Sequence, residues 1–193
     1  ASAIEAAPPA DEVPMNDDLI EAVDPREEYV ACASALASGE ASAREDLRIV
    51  LTAMHGVGAE ITSRVLTEAG FTNVSLVAAQ ADPDPDFPTV PFPNPEEAGA
   101  LDMAIEQARE QGADLIIAVD PDADRCALAV PDPASETGWS PLSGDQSGSL
   151  LGEFLAARGL TGPPANSIVH SRLLSRTARH LGPENQPPLP GLQ

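Results

Sequence analysis

Two apolar runs, Leu115-Ile116-Ile117-Ala118-Val119 and Cys126-Ala127-Leu128-Ala129-Val130, flank the short loop Asp120-Pro121-Asp122-Ala123-Asp124-Arg125. Runs of this length bounded by turn residues read as buried strands. So short a loop joins them only as antiparallel neighbours. Three carboxylates therefore sit in a loop held at both ends. In extended backbone, residues two apart point the same way, so Asp120, Asp122 and Asp124 converge. Two carboxylates about 5 Å apart repel by roughly 3 kcal/mol at an effective dielectric of about 20. A hard divalent cation neutralises such a cluster best, and oxygen-only ligation suits Mg2+ or Ca2+ rather than zinc or copper. Asp120, Asp122 and Asp124 are the candidate metal ligands, and Arg125 adds a phosphate-type donor.

The pattern upstream tells what this hairpin belongs to. Residues 48–52 form a β-type run. Residues 58–69 have helical apolar spacing (Ile61, Val65, Leu66, Ala69) and stop at Gly70. A second strand is expected at 74–78, followed by a loop over 80–97 with six prolines. Residues 98–111 read as a helix with Leu101, Ile105 and Ala108 on one face, ending at Gly112. This alternation predicts a three-layer α/β/α domain with a mostly parallel, mixed sheet. In such sheets chemistry collects at the carboxyl ends of the strands. The loops at 54–58, 80–97 and 120–125 fall there.

The flanks are less regular. Residues 1–14 are Ala/Pro-rich and acidic, a linker or frayed end. Residues 17–23 read as a short helix. Asp24-Pro25 reads as N-cap and first residue of a second helix reaching about Leu36, with loop over 37–43. The pattern breaks at 131–142, which marks a domain boundary. A helix at 144–158, a strand at 167–170 and a helix at 173–181 follow, then a Pro-rich stretch. The expected organisation is one domain over 15–131 and the incomplete start of a second α/β domain over 139–193.

Composition narrows the function. The formal net charge of −21 repels free nucleic acid. An anionic substrate requires Arg or a metal to reverse the local field. All ten basic residues are Arg, which excludes a Schiff-base, Walker or catalytic Lys within this chain. Cys32 and Cys126 lack metal-ligand spacing and read as a reduced pair, in keeping with a cytoplasmic protein. No run approaches the roughly 18 apolar residues of a membrane span. Residues 1–14 have no basic residue and are not a signal peptide. The first residue is Ala rather than Met, which suggests a trimmed chain.

The acidic loop admits other readings. An EF-hand needs Gly at position six and Glu at position twelve, where Arg125 and Pro131 stand. A haloacid-dehalogenase-type phosphatase, with Asp120 as nucleophile and Asp122 as acid, expects Thr or Val in place of Asp124 and a downstream Lys. A solvated acidic turn in a non-catalytic interaction module is the bland alternative. The run Asp82-Pro83-Asp84-Pro85-Asp86 lies in the proline-rich loop without an adjacent Arg and reads as surface. The glycines of Thr52-Ala53-Met54-His55-Gly56-Val57-Gly58 favour a structural turn over a phosphate cradle, and His55 reads as a packed or hydrogen-bonded residue.

Taken together, four strings resemble the α-D-phosphohexomutases in order and spacing. They are Thr52–Gly58, then Pro83-Asp84-Pro85-Asp86-Phe87-Pro88-Thr89-Val90, then Pro93-Asn94-Pro95-Glu96-Glu97, then Asp120–Arg125. The resemblance is to the phosphoglucomutase/phosphopentomutase branch and spans about residues 15–180. Trp139, Gly144-Asp145 and Gly148-Ser149-Leu150-Leu151 resemble that branch's entry into its third domain. The resemblance implies a four-domain enzyme of which this chain is domain two plus part of domain three. It implies Mg2+ held by Asp120, Asp122 and Asp124, and Arg125 helping to hold a phosphate. The implied reaction moves a phosphoryl group between two hydroxyls of one phosphosugar, from a phosphoserine that supplies the fourth metal ligand. No Ser here precedes a His, so the phosphoserine motif Thr-Ala-Ser-His is absent. The string Gly39-Glu40-Ala41-Ser42 precedes the metal loop instead of following it and is not the family's sugar-binding loop. Residues 1–193 alone are therefore expected to be inactive, with the missing domains of the same chain as their partners.

Overall fold

The computed structural model describes residues 2–13, 15–159, 173 and 176. The elements in chain order are α1 (Ser2–Glu5), α2 (Arg26–Ser34), α3 (Ala41–Asp46), β1 (Arg48–Thr52), α4 (Ala59–Glu68), β2 (Asn73–Leu76), α5 (Asp102–Gln111), β3 (Leu115–Val119), β4 (Cys126–Pro131), β5 (Trp139–Leu142) and α6 (Gly144–Ala157). The strands form one sheet in the order β2-β1-β3-β4-β5. The first three are parallel, and β4 and β5 add antiparallel strands. The mixed sheet and the six-residue β3–β4 connection follow the sequence reading.

Helices cover both faces. On one, α5 packs Leu101, Ala104, Ile105 and Ala108 against Val50, Ile116, Ala118 and Ala129. On the other, Ala59 of α4 meets Ala53 and Val119. This explains why β1, between β2 and β3, reads as an unbroken apolar run: Ile49, Val50, Leu51 and Thr52 are all buried. Helices α4 and α5 end where glycine takes a left-handed conformation, at Gly70 (φ 93°) and Gly112 (φ 60°). Helix α2 packs on α4 through the fully buried Val30 and an Arg64–Glu27 ion pair of 2.7 Å.

The register of β1 on β3 is fixed at its open end. Arg48 donates from its backbone N–H and Nε to Asp114 Oδ2 (both 3.0 Å) and from Nη2 to Oδ1 (2.9 Å). Asp114 N–H returns a bond to the Arg48 carbonyl (2.8 Å).

The structure departs from the sequence reading at several points. The helix expected over 17–23 is a single 3-10 turn, Asp17–Leu19, followed by extended chain. Leu19, Ile20 and Val23 are exposed, so nothing offsets the nucleation cost of so short a helix. The loop expected over 37–43 gives way to α3 at Ala41. The stretch 131–142, where the sequence pattern breaks, is a tight hairpin. Asp132 N–H bonds the Gly138 carbonyl (2.8 Å), and Trp139, 4% exposed, enters the α5-side core. β5 therefore belongs to the sheet, because Trp139 has its apolar surface to bury there. The frayed end likewise contains a turn of helix, α1. Helix α6 matches the expectation at 144–158 and starts with a Ser143–Gln146 capping box. The strand read at 167–170 and most of the helix read at 173–181 lie outside the described residues.

The Arg48 guanidinium, with the Arg48 N–H, pulls the Asp114 carboxyl down to about 2. In an NMR titration Asp114 should titrate there, and Arg48→Gln should return it toward the ordinary value near 3.9. Because the folded value is depressed, the contribution to stability is present above the unfolded value and is lost as pH falls through about 2.

Candidate metal centre

β1, β2 and β3 run parallel, so their carboxyl ends share one edge of the sheet. The loops following them meet there. The loop after β3 closes on itself through Asp120. Arg125 donates its backbone N–H to Asp120 Oδ1 (2.9 Å) and its Nε to Oδ2 (2.7 Å). Ala123 N–H bonds the Asp120 carbonyl (2.9 Å), and Ala123 takes a left-handed φ of 58° to complete the turn. Asp120 is fully buried, whereas Asp122, Asp124 and Arg125 are exposed.

The structure brings all four sequence-predicted residues together. One carboxylate oxygen from each of Asp120, Asp122 and Asp124 lies within 4.8 Å of the others, the only such cluster of acidic, His or Cys ligands among the described residues. Burial raises the Asp120 pKa, but the amide and guanidinium of Arg125 outweigh it and hold the carboxyl below its ordinary value. Asp122 moves the opposite way: its hydrogen bond to Asp120, and then the charge of Asp124, push it up. The three carboxylates thus crowd one another, a repulsion that a cation at this point would relieve. A Mg2+ ion at about 2.1 Å from each oxygen spaces its ligands roughly 3 to 4 Å apart. Asp122 and Asp124 are free on the surface to close that distance around the fixed Asp120.

Arg125 turns its Nε inward to Asp120 and lies 3.6 Å from Asp124 Oδ1. Its two terminal nitrogens have no hydrogen-bond partner among the described residues, and the side chain is 60% exposed. The loop thus offers a cation position and a guanidinium edge side by side. Both Asp120 oxygens are engaged by Arg125, and nothing in the loop singles this carboxylate out as a nucleophile. The run at 82–86 stays outside the cluster: Asp84 Oδ1 accepts from Asp86 N–H (2.9 Å) in a local turn.

The loop after β1 buttresses the acidic loop. Met54 (φ 48°) and His55 (φ 63°) are both left-handed, a conformation costing about 1–2 kcal/mol for each such residue. The turn they make lays Gly56 directly on the Pro121 backbone, where a Cβ has no room. Val57 N–H then bonds the Pro121 carbonyl (2.9 Å). The glycine string is thus a structural turn. His55 is 4% exposed and hydrogen-bonded through Nε2 to Thr89 Oγ1 (2.8 Å).

Sequence reasoning missed Thr52, Gln80 and Thr89 behind this turn. Thr52 Oγ1 donates to Gln80 Oε1 (2.6 Å), and Gln80 Nε2 donates to Thr89 Oγ1 (2.8 Å). Thr52 and Thr89 stand within two of the strings quoted above without a role of their own, and Gln80 follows the run Val74-Ser75-Leu76-Val77-Ala78-Ala79.

The chain thus combines a mixed α/β/α sheet with an acidic, Arg-flanked loop at the carboxyl end of its third strand. The family model described as phosphoglucomutase/phosphomannomutase, alpha/beta/alpha domain II, matches residues 27–134, and the chain belongs to this family. A Haemophilus influenzae protein named probable phosphomannomutase is 43% identical over 183 residues, covering 94% of this chain and 36% of that relative. The phosphoglucomutase of Staphylococcus haemolyticus is 40% identical over 132 residues, 68% of this chain and 23% of the relative. The phosphoribomutase of Saccharomyces cerevisiae is 46% identical over 106 residues, 53% of this chain and 17% of the relative. A phosphoglucomutase/phosphomannomutase family structure from Burkholderia thailandensis shares the fold, with TM-score 0.70 at 20% identity over 85% of this chain and 32% of that one. The chain spans about a third or less of the curated relatives it matches. No helix among the described residues is long and apolar enough to cross a membrane.

Gly56→Ala should lower unfolding free energy in urea by about 1–3 kcal/mol, the usual cost of overpacking. Gly148, inside α6 with open space at its Cβ position, is the contrast. Gly148→Ala should raise stability by up to about 1 kcal/mol.

Proposed function

We propose that this chain is the metal-holding part of a Mg2+-dependent phosphosugar mutase, an isomerase working by intramolecular phosphoryl transfer on a hexose or pentose phosphate. The observation that carries this reading is the convergence of Asp120, Asp122 and Asp124 beside the outward edge of Arg125. The names of the relatives, phosphomannomutase, phosphoglucomutase and phosphoribomutase, agree in the chemistry and differ in the sugar. A Mg2+ ion held there supplies charge neutralisation to a phosphoryl group in transit. Asp120 fixes the ion's position, Asp122 and Asp124 close around it, and Arg125 presents donors to the phosphate oxygens.

In this reading residues 15–131 supply the cation site, Trp139–Leu142 extend the same sheet, and the next α/β domain begins beyond that strand. The serine that donates the phosphoryl group belongs elsewhere in the protein, since no Ser of these 193 residues precedes a His. A cytoplasmic location accords with the unpaired Cys32 and Cys126.

Calorimetry on the 193-residue chain should show one weak Mg2+ site. Asp122→Asn should weaken it by about tenfold or more, since one of three anionic ligands becomes neutral. Unchanged Mg2+ affinity in Asp122→Asn contradicts the assignment. The chain alone should not turn over glucose 1-phosphate.

A further inference from the structure

The acidic loop does not hold its shape by its own bonds alone. Pro121, between two of the three carboxylates, is seated on Gly56 and accepts from Val57 N–H (2.9 Å). Gly56 and Val57 are placed in turn by His55, whose left-handed backbone is held at every polar point. His55 N–H bonds the Gln80 carbonyl (3.0 Å), its carbonyl accepts from Asp84 N–H (3.0 Å), and its ring bonds Thr89 (2.8 Å). All three partners lie on the segment after β2. Gln80, 1% exposed, grips the turn twice, through its backbone carbonyl and through its side chain. Its amide links Thr52 at the end of β1 to the Thr89 hydroxyl. Thr52 Oγ1 also accepts from Met54 N–H (3.1 Å), so the other left-handed residue is tied into the same network.

We propose that Gln80, Thr89 and His55 are positioning residues for the cation site: they set the 54–57 turn, and the turn sets Pro121 and with it Asp120 and Asp122. The proposal rests on the metal reading above for its consequence, but its geometric content stands without the ion. The proline-rich loop thus serves the site from behind, without contributing a ligand. Outer-shell partners of this kind change metal affinity by about 10–100-fold when removed.

The test uses the 193-residue chain with Thr89→Val, which removes the hydroxyl, and Thr89→Ser, which keeps it. His55→Asn is a second, independent variant, because Asn tolerates the left-handed backbone while its short side chain cannot reach Thr89. Amide hydrogen exchange is followed without metal at Val57 and Arg125, whose N–H groups report the two contacts that shape the acidic loop, and at core strand residues Ile49 and Ile116. Thr89→Val and His55→Asn should speed exchange at Val57 and Arg125 by about tenfold or more while the core strands keep their protection. Thr89→Ser should restore the pattern. Mg2+ affinity by calorimetry should fall about tenfold in the first two variants and recover in Thr89→Ser. Native protection at Val57 and Arg125 in either folded variant overturns the proposal, as does a loss spread evenly through Ile49 and Ile116. An unsubstituted chain that binds no Mg2+ sinks the metal reading instead, and the exchange pattern still decides the positioning role.

Discussion

The Asp120 carboxylate, buried and gripped at both oxygens by Arg125, is the constraint on which the site depends. A buried carboxylate without partners would be costly. Arg125 offsets that cost with one backbone and one guanidinium bond, and in doing so folds the six-residue loop into a fixed ring. In that ring Asp122 and Asp124 are exposed, each with an oxygen within 4.8 Å of one from Asp120. The ring also holds the Arg125 Nε on Asp120 while the side chain stays 60% exposed. A single intraloop contact thus places the three carboxylates and the guanidinium relative to each other.

The charge logic follows from this placement. The chain carries a formal charge of −21, and the three aspartates sharpen that field locally. A phosphorylated substrate meets net repulsion unless a cation inverts it. Arg125 holds the Asp120 carboxyl below its ordinary value against the pull of burial, while Asp120 and Asp124 push Asp122 above its own. The β1 loop then supplies stiffness, since a turn carrying two left-handed residues persists only where its surroundings over-determine it.

Much of the fold was legible because apolar periodicity and glycine stops are local signals. The run at 48–52, the helix ending at Gly112 and the hairpin around 120–125 emerge from their own residues. The three aspartates were legible as carboxylates crowded between two strands, but they meet through a turn with Ala123 left-handed rather than through the alternation of extended chain. What stayed hidden depends on tertiary context. Trp139 reads as the start of a new unit until the sheet provides a place to bury it. Leu19, Ile20 and Val23 suggest a helix, yet nothing packs on them. Thr52, Gln80 and Thr89 are each unremarkable in sequence and acquire meaning only when three loops meet at one sheet edge.

The central claim is that one divalent cation sits between Asp120, Asp122 and Asp124. Anomalous diffraction from crystals of this chain soaked in Mn2+, an octahedral oxygen-seeking substitute for Mg2+, tests it most directly. The account predicts a single strong peak at about 2.1–2.2 Å from one oxygen of each aspartate, with the Asp120–Arg125 bonds intact. A well-ordered acidic loop with no peak at that point, or with the metal bound only at the 82–86 run, would contradict it.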